Sequence, residues 1–184
     1  MGRVPQSSII VVGNEILRGF TVDTNSNWLA GRLFHVGYPV RLMTTTGDVD
    51  ADIVGAIRDH VARPELTRIF VCGGLGPTPD DRTYVALARA LNQRLVYRRD
   101  VGAQMQNLMF ILNLAARRGT AELNAGNRKM AMLPESATMR TNGSVQIMRS
   151  TRWWRSRNAR LRASRRCRSA TRSPRPAREK NPSR

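Results

Sequence analysis

Cysteine, histidine and long apolar runs are all scarce in this chain of 184 residues. Its two cysteines, Cys72 and Cys167, are too few and too far apart for a disulfide framework, and they point to a reducing, cytoplasmic setting. The two histidines, His35 and His60, stand alone on helix-like segments and read as surface or core fillers; without a Cys/His cluster a zinc site is not expected. No apolar run approaches the roughly 20 residues that span a bilayer, so no membrane segment is expected. The N-terminus also lacks the charged start, apolar stretch and small-residue cleavage site of a signal peptide. Acid is missing from one region only. Residues 140–184 carry 15 Lys/Arg against one Asp/Glu, a net of +14, whereas residues 1–139 carry 16 against 12, a net of +4. The strongly basic character therefore belongs to a tail, and the first part has an ordinary globular composition, long enough for one domain with a sizeable core.

What that first part contains is an alternation of strand and helix patterns. Residues 8–12 form a continuous β-branched run closed by Gly13, as in a strand covered on both faces. Trp28, Leu29, Leu33 and Val36 recur at helical spacing after the cap-forming Thr24, Asn25 and Ser26, with Gly37 as the stop. A second strand is predicted over 39–45, a helix marked by Ile53, Ile57 and Val61 ends at Pro64, and a third strand covers 68–72. Tyr84, Leu87 and Leu91 mark the next helix, residues 95–97 a further strand, and Met105, Leu108, Met109 and Leu112 one face of a helix with Gly119 as its stop. Short alternation of this kind predicts a three-layer α/β fold, a mostly parallel sheet with helices on both faces. Ligands in such sheets bind at the carboxyl ends of the strands.

The most informative segment follows the third strand: Cys72-Gly73-Gly74-Leu75-Gly76-Pro77-Thr78-Pro79-Asp80-Asp81-Arg82-Thr83. Glycines at a strand end let a ligand approach the backbone, and the helix beyond aims free N–H groups at the same spot, which favours a phosphate. The adjacent carboxylates of Asp80 and Asp81 are candidates to hold a divalent cation. A blander reading stands beside this one: Thr78 as N-cap, Pro79 at the first helical position and Asp81 as the capping carboxylate spell a helix start without chemistry. The two roles can coexist. Glu15, Asp48 and the Asp80/Asp81 pair each follow a different strand, so they are expected to converge on one rim.

Two further stretches accompany the glycine loop: Gly13-Asn14-Glu15-Ile16-Leu17-Arg18-Gly19, followed by Asp23-Thr24-Asn25-Ser26, and Arg128-Lys129-Met130-Ala131-Met132-Leu133-Pro134-Glu135. Together, over roughly residues 7–139, the chain resembles the molybdopterin-binding domain family in its CinA-type branch. Asn14 stands where that family usually has an acid. The resemblance implies either binding of molybdopterin, with adenylylation from ATP in one branch, or hydrolysis of a pyrophosphate bond in ADP-ribose-like nucleotides. Both are phosphoanhydride chemistries, and both imply Mg²⁺, with molybdopterin or an adenine nucleotide as ligand. On this reading Gly73, Gly74, Gly76 and Thr78 form the phosphate cradle. Asp48, Asp80 and Asp81 are the catalytic, metal- or water-positioning carboxylates, with Glu15 a further metal contact. Asp23 and Asn25 shape the rim, and Lys129 reaches a phosphate. A non-catalytic ligand-binding module is the competing class, and homo-oligomerisation is left open.

Family character ends at about residue 139. The segment 140–184 is rich in Arg, Ser, Ala and Pro, holds Trp153 and Trp154 without any apolar period, and is expected to be disordered. A frameshift in a GC-rich reading frame would produce this composition, and the coincidence with the loss of the family pattern favours that origin. The alternative is a basic arm that binds nucleic acid through its phosphates, with tryptophans stacking on bases.

Overall fold

The computed structural model of the protein describes residues 5–115, 123–139 and 145–147. β1, Gln6–Val12, is buried at every position after the first, as its unbroken apolar run predicts. β2, Val40–Thr46, and β3, Leu66–Cys72, flank it on either side, both parallel to it, so the sheet order is β2-β1-β3. β2 lies at an edge and alternates between half-buried and exposed residues up to the buried Thr46, in contrast to the central strand.

The path from β1 out to β2 and back across to β3 reverses direction. With right-handed crossovers that reversal sends the two connecting helices to opposite faces. α2, Thr24–His35, packs on β1 and β2, while α3, Asp50–Ala62, lies against all three strands and carries α4, Thr83–Leu91, beside it. The parallel sheet flanked by helices matches the expected α/β fold. Ile9, Ile10, Ile53 and Ile57 form the fully buried centre. His60 is part of that core: its two ring nitrogens lie 2.9 Å from Ser8 Oγ and 2.9 Å from Thr44 Oγ1, joining α3 to β1 and β2. Burial, aided by the charge of Arg63 and opposed by that of Asp59, pushes its pKa below the ordinary value.

A short helix α1, Asn14–Leu17, follows β1 directly. After α4 come β4, Leu95–Tyr97, and α5, Arg99–Ala115; then α6, Ala125–Met130, and β5, Met132–Pro134, which pairs antiparallel with β4 apart from the main sheet. β6, Ala137–Met139, pairs with β7, Val145–Ile147, so one strand lies within the segment assigned to the tail. The remainder of 140–184, with Trp153 and Trp154, and the expected stop at Gly119 lie outside the described residues. Among the described residues no helix is long and apolar enough to cross a membrane.

Three local expectations are corrected. Of the apolar stripe expected on α2, Leu33 is buried, but Trp28 and the C-cap residue Val36 are 67% and 62% exposed. The cap of α2 is Asp23, whose side chain accepts from Ser26 N at 2.9 Å, in place of the Thr24–Ser26 run. Leu108, on the apolar face expected of α5, is 53% exposed.

Candidate functional site

β1 and β3 are neighbours whose chains leave in opposite directions, β1 toward β2 and β3 toward α4. A crevice opens outside the carboxyl ends of such a pair, at the point where an open α/β sheet binds its ligand. The glycine loop meets β1 there at very short range. A Cβ built on Gly73 would lie 2.0 Å from the Val12 carbonyl oxygen, and Gly73 has φ +89°. Only glycine fits, for the packing of the two strand ends as much as for any ligand.

The loop is then tied to its surroundings by side chains. Thr83, fully buried at the start of α4, donates from Oγ1 to the Gly73 carbonyl at 2.8 Å, and its N–H donates to the Gly74 carbonyl at 3.1 Å. Gly74, with φ +59°, leaves room for that hydroxyl, since a Cβ there would lie 2.5 Å from Thr83 Oγ1. Asp81 accepts from Thr78 N at 2.9 Å, from the Thr78 hydroxyl and from the Gly76 amide. Desolvation raises its pKa, but these hydrogen bonds and the charge of Lys129 outweigh that and hold the carboxyl below its ordinary value. Lys129 in turn donates to the Thr78 carbonyl, and Gly126 brings α6 so close that a Cβ would lie 2.8 Å from the Pro77 carbonyl oxygen.

The helix-start reading of this segment is therefore corrected. α4 begins at Thr83, its N-cap is Arg82 with no side-chain cap bond, and Thr78 to Asp81 form a turn before it. Asp81 is neither a helix cap nor a free carboxylate. It fills the loop as a local acceptor, because Thr78 and Gly76 place their donors inward once the chain turns.

The loop after β1 is arranged differently. Gly13 N donates to the Thr46 carbonyl at 2.9 Å, and Asn14 N reaches Asp48 Oδ2 at 3.3 Å, so Asp48 is brought to the first motif. Glu15 is exposed and its carboxylate folds back over Gly13. Leu17, Phe20 and Val22 beyond it are 56%, 78% and 81% exposed. Asp23 caps α2, and its charge adds to burial in raising the pKa of the half-buried Cys72 at the end of β3. Ser26 on that turn is fully buried, and its hydroxyl has no hydrogen-bond partner. Asn25 and Asp80 are exposed.

The structure thus brings the predicted loops to one rim without gathering their acids. No group of three or more His, Cys, Asp or Glu side chains stands in metal-holding proximity among the described residues. Glu15 and Asp81 are both turned onto their own loops. The groups that do converge surround a cavity of about 190 Å³, lined by Gly74, Gly76, Asp81, Arg82, Tyr84 and Lys129 with apolar neighbours including Met130 and Met132. Tyr84 and Val85, in the first turn of α4, line this cavity, and their N–H groups have no intrahelical acceptor. Arg82, Thr83 and Tyr84 were not among the expected site residues. Thr83 carried a signal, a threonine just past the two acids, but Arg82 could be assigned only once α4 was seen to begin behind it.

A family model for the probable molybdopterin binding domain matches residues 8–142. A protein from Pyrobaculum calidifontis is 39% identical over 134 residues, 73% of this chain and 48% of that protein. A CinA-like protein from Geobacter sp. strain M21 is 38% identical over 135 residues, 73% of this chain and 30% of that protein. The chain therefore spans about half or less of the length of these relatives. Among solved structures, the protein CinA, of unknown function, from Thermoplasma acidophilum superposes with a TM-score of 0.62 at 33% identity, over 74% of this chain and 75% of that one.

Proposed function

Because the chain belongs to the molybdopterin-binding domain family, in its CinA-type branch, we propose that its crevice binds a phosphate-bearing ligand, molybdopterin or an adenine nucleotide, and acts on a phosphoanhydride bond. The observation that carries this reading is the cavity at the glycine loop, which Tyr84 and Val85 of the first turn of α4, Arg82 and Lys129 all line. Backbone amides at a helix N-terminus and a cationic side chain such as that of Lys129 are donors that suit a phosphate. At about 190 Å³ the cavity is smaller than the roughly 300–1,000 Å³ typical of whole-ligand sites. It suits the phosphate end of a ligand, with the remainder lying along the rim toward Asp23, Asn25 and the loop after β1.

Each group has a defined task in this reading. Gly73 sets the loop against β1, Thr83 and Asp81 hold its shape, and the α4 amides with Lys129 offset phosphate charge as it develops on a leaving group. Asp48 or Asp80 orients the attacking water or hydroxyl. The carboxylates present do not form a metal cage by themselves, since Asp81 is spent on Thr78 and no third acid joins it among the described residues. That same observation favours a second reading, a binding module without turnover.

Calorimetric titration of ADP-ribose, ATP and a phosphorylated pterin, with turnover assays with and without Mg²⁺, separates the two. Binding that is lost in Lys129→Gln and Gly74→Val, together with pyrophosphate cleavage or adenylylation in the unaltered chain, supports the enzyme. Binding without turnover under any divalent cation leaves the module. No phosphate-bearing ligand bound, or equal affinity in both variants, removes the cradle.

A further inference from the structure

Away from the crevice, α3 and α4 leave a second hollow between them, of about 620 Å³. Ala51, Val54 and Ala88 give it an aliphatic floor, and Arg58, Arg89 and Asn92 stand around it. Asp50 at one end is already neutralised. Its carboxylate accepts 2.8 Å bonds from both Nε and Nη2 of Arg82 and a third bond from Arg89, and the Arg82 contact, against desolvation, holds its pKa below the ordinary range. Three guanidinium groups against one carboxylate leave a local net of +2. Arg58 is surplus to this network: among the described residues its bond is a 3.5 Å contact from Nη2 to the Arg89 carbonyl, which leaves its other donors for a ligand.

We propose that this groove is a second binding site, for a small phosphate-bearing molecule. A guanidinium with free donors recognises phosphate through paired N–H bonds; Arg58 offers such a fork, and Arg89, with Nη1 on Asp50, adds charge and its remaining N–H groups over a floor that covers an apolar part of the ligand. The volume falls within the range of small-molecule sites. None of the lining side chains among the described residues is aromatic, so the grip is on the phosphate and not on a stacked base. The groove is distinct from the glycine-loop cavity; Arg82, which lines that cavity, also grips Asp50.

The test is an NMR titration of the full chain with inorganic pyrophosphate, followed at amides of each site. Saturating shifts at Ala51, Val54 and Ala88 are expected, weakened about ten-fold in Arg58→Gln and partly restored in Arg58→Lys, with saturation at Gly74 and Gly76 unchanged. Arg58 is exposed and its melting temperature should not move, which separates lost binding from lost fold. Shifts confined to the glycine loop and the tail, or equal groove affinity in Arg58→Gln, overturn the proposal.

Discussion

The loop after β3 is cross-linked to two helices, whereas the loop after β1 closes mainly on itself. Thr83 of α4, Lys129 of α6 and the internal Asp81 all bond the first, and Gly73 locks it against Val12. In the second, Arg18, Gly19, Phe20 and Thr21 donate back to Asn14, Ile16 and Glu15, and Leu17, Phe20 and Val22 remain exposed. One side of the crevice is preorganised, as electrostatic recognition of a phosphate requires. The other has little packing to lose in adjusting over a ligand.

The sharpest way to break this comparison is to substitute a glycine on each side. Gly73→Ala places a Cβ 2.0 Å from the Val12 carbonyl oxygen at φ +89°, and should cost roughly 3 kcal/mol or more, read as a fall in melting temperature of about 10 °C. Gly13→Ala meets only the movable end of Glu15, at an extended φ of 168°, and should cost less than about 1 kcal/mol. Similar losses at both positions would dissolve the distinction.

Thr83→Val is next in size. It removes the buried donor to the Gly73 carbonyl and should destabilise by about 1–3 kcal/mol in denaturant unfolding, with Thr83→Ser recovering much of it. Asp81→Asn should cost about 1 kcal/mol and weaken phosphate binding by calorimetry, because the amide accepts less strongly from Thr78 and Gly76. Asp80→Asn, exposed beside it, should leave the melting temperature unchanged; any loss of turnover there would identify Asp80 as the carboxylate that faces the ligand.

The smallest effect concerns pH and the core beneath both loops. His60 has a folded pKa below its unfolded value of 6.5, so the unfolded chain binds more protons as pH falls through that value. Its contribution is complete above pH 6.5 and shrinks below it. Melting temperature should therefore decline from pH 7.5 to 5.5, and His60→Gln should flatten that slope while lowering stability throughout. A slope unchanged by the substitution would assign the pH dependence to other groups.

Much of the fold was legible because it rests on short-range regularity. The apolar run before Gly13, the spacing of Ile53, Ile57 and Val61, and the strand before Cys72 each state their element within a dozen residues, and each lies where expected. The order β2-β1-β3, which these local patterns do not state, carries the two glycine loops to one crevice. Where periodicity was read as burial it was less sound. Trp28 and Leu108 sit at helical spacing yet face outward, since a pattern shows which residues share a face and not whether a partner covers it.

The sequence by itself determined the alternation of elements, the glycines at the strand ends and the family to which they belong. Tertiary structure alone decided what the polar groups do. Asp81 read as a cap or as a metal ligand, and Asp23 as a rim contact, until the donors of Thr78, Gly76 and Ser26 came within reach of them. Asp50 became the anchor of an arginine groove only when α3 and α4, more than 30 residues apart in the chain at that contact, lay side by side. The reason is one of range. An apolar pattern acts through burial summed over a whole helix or strand face, but a hydrogen bond forms only within about 3 Å, and which donor stands there depends on the folded chain.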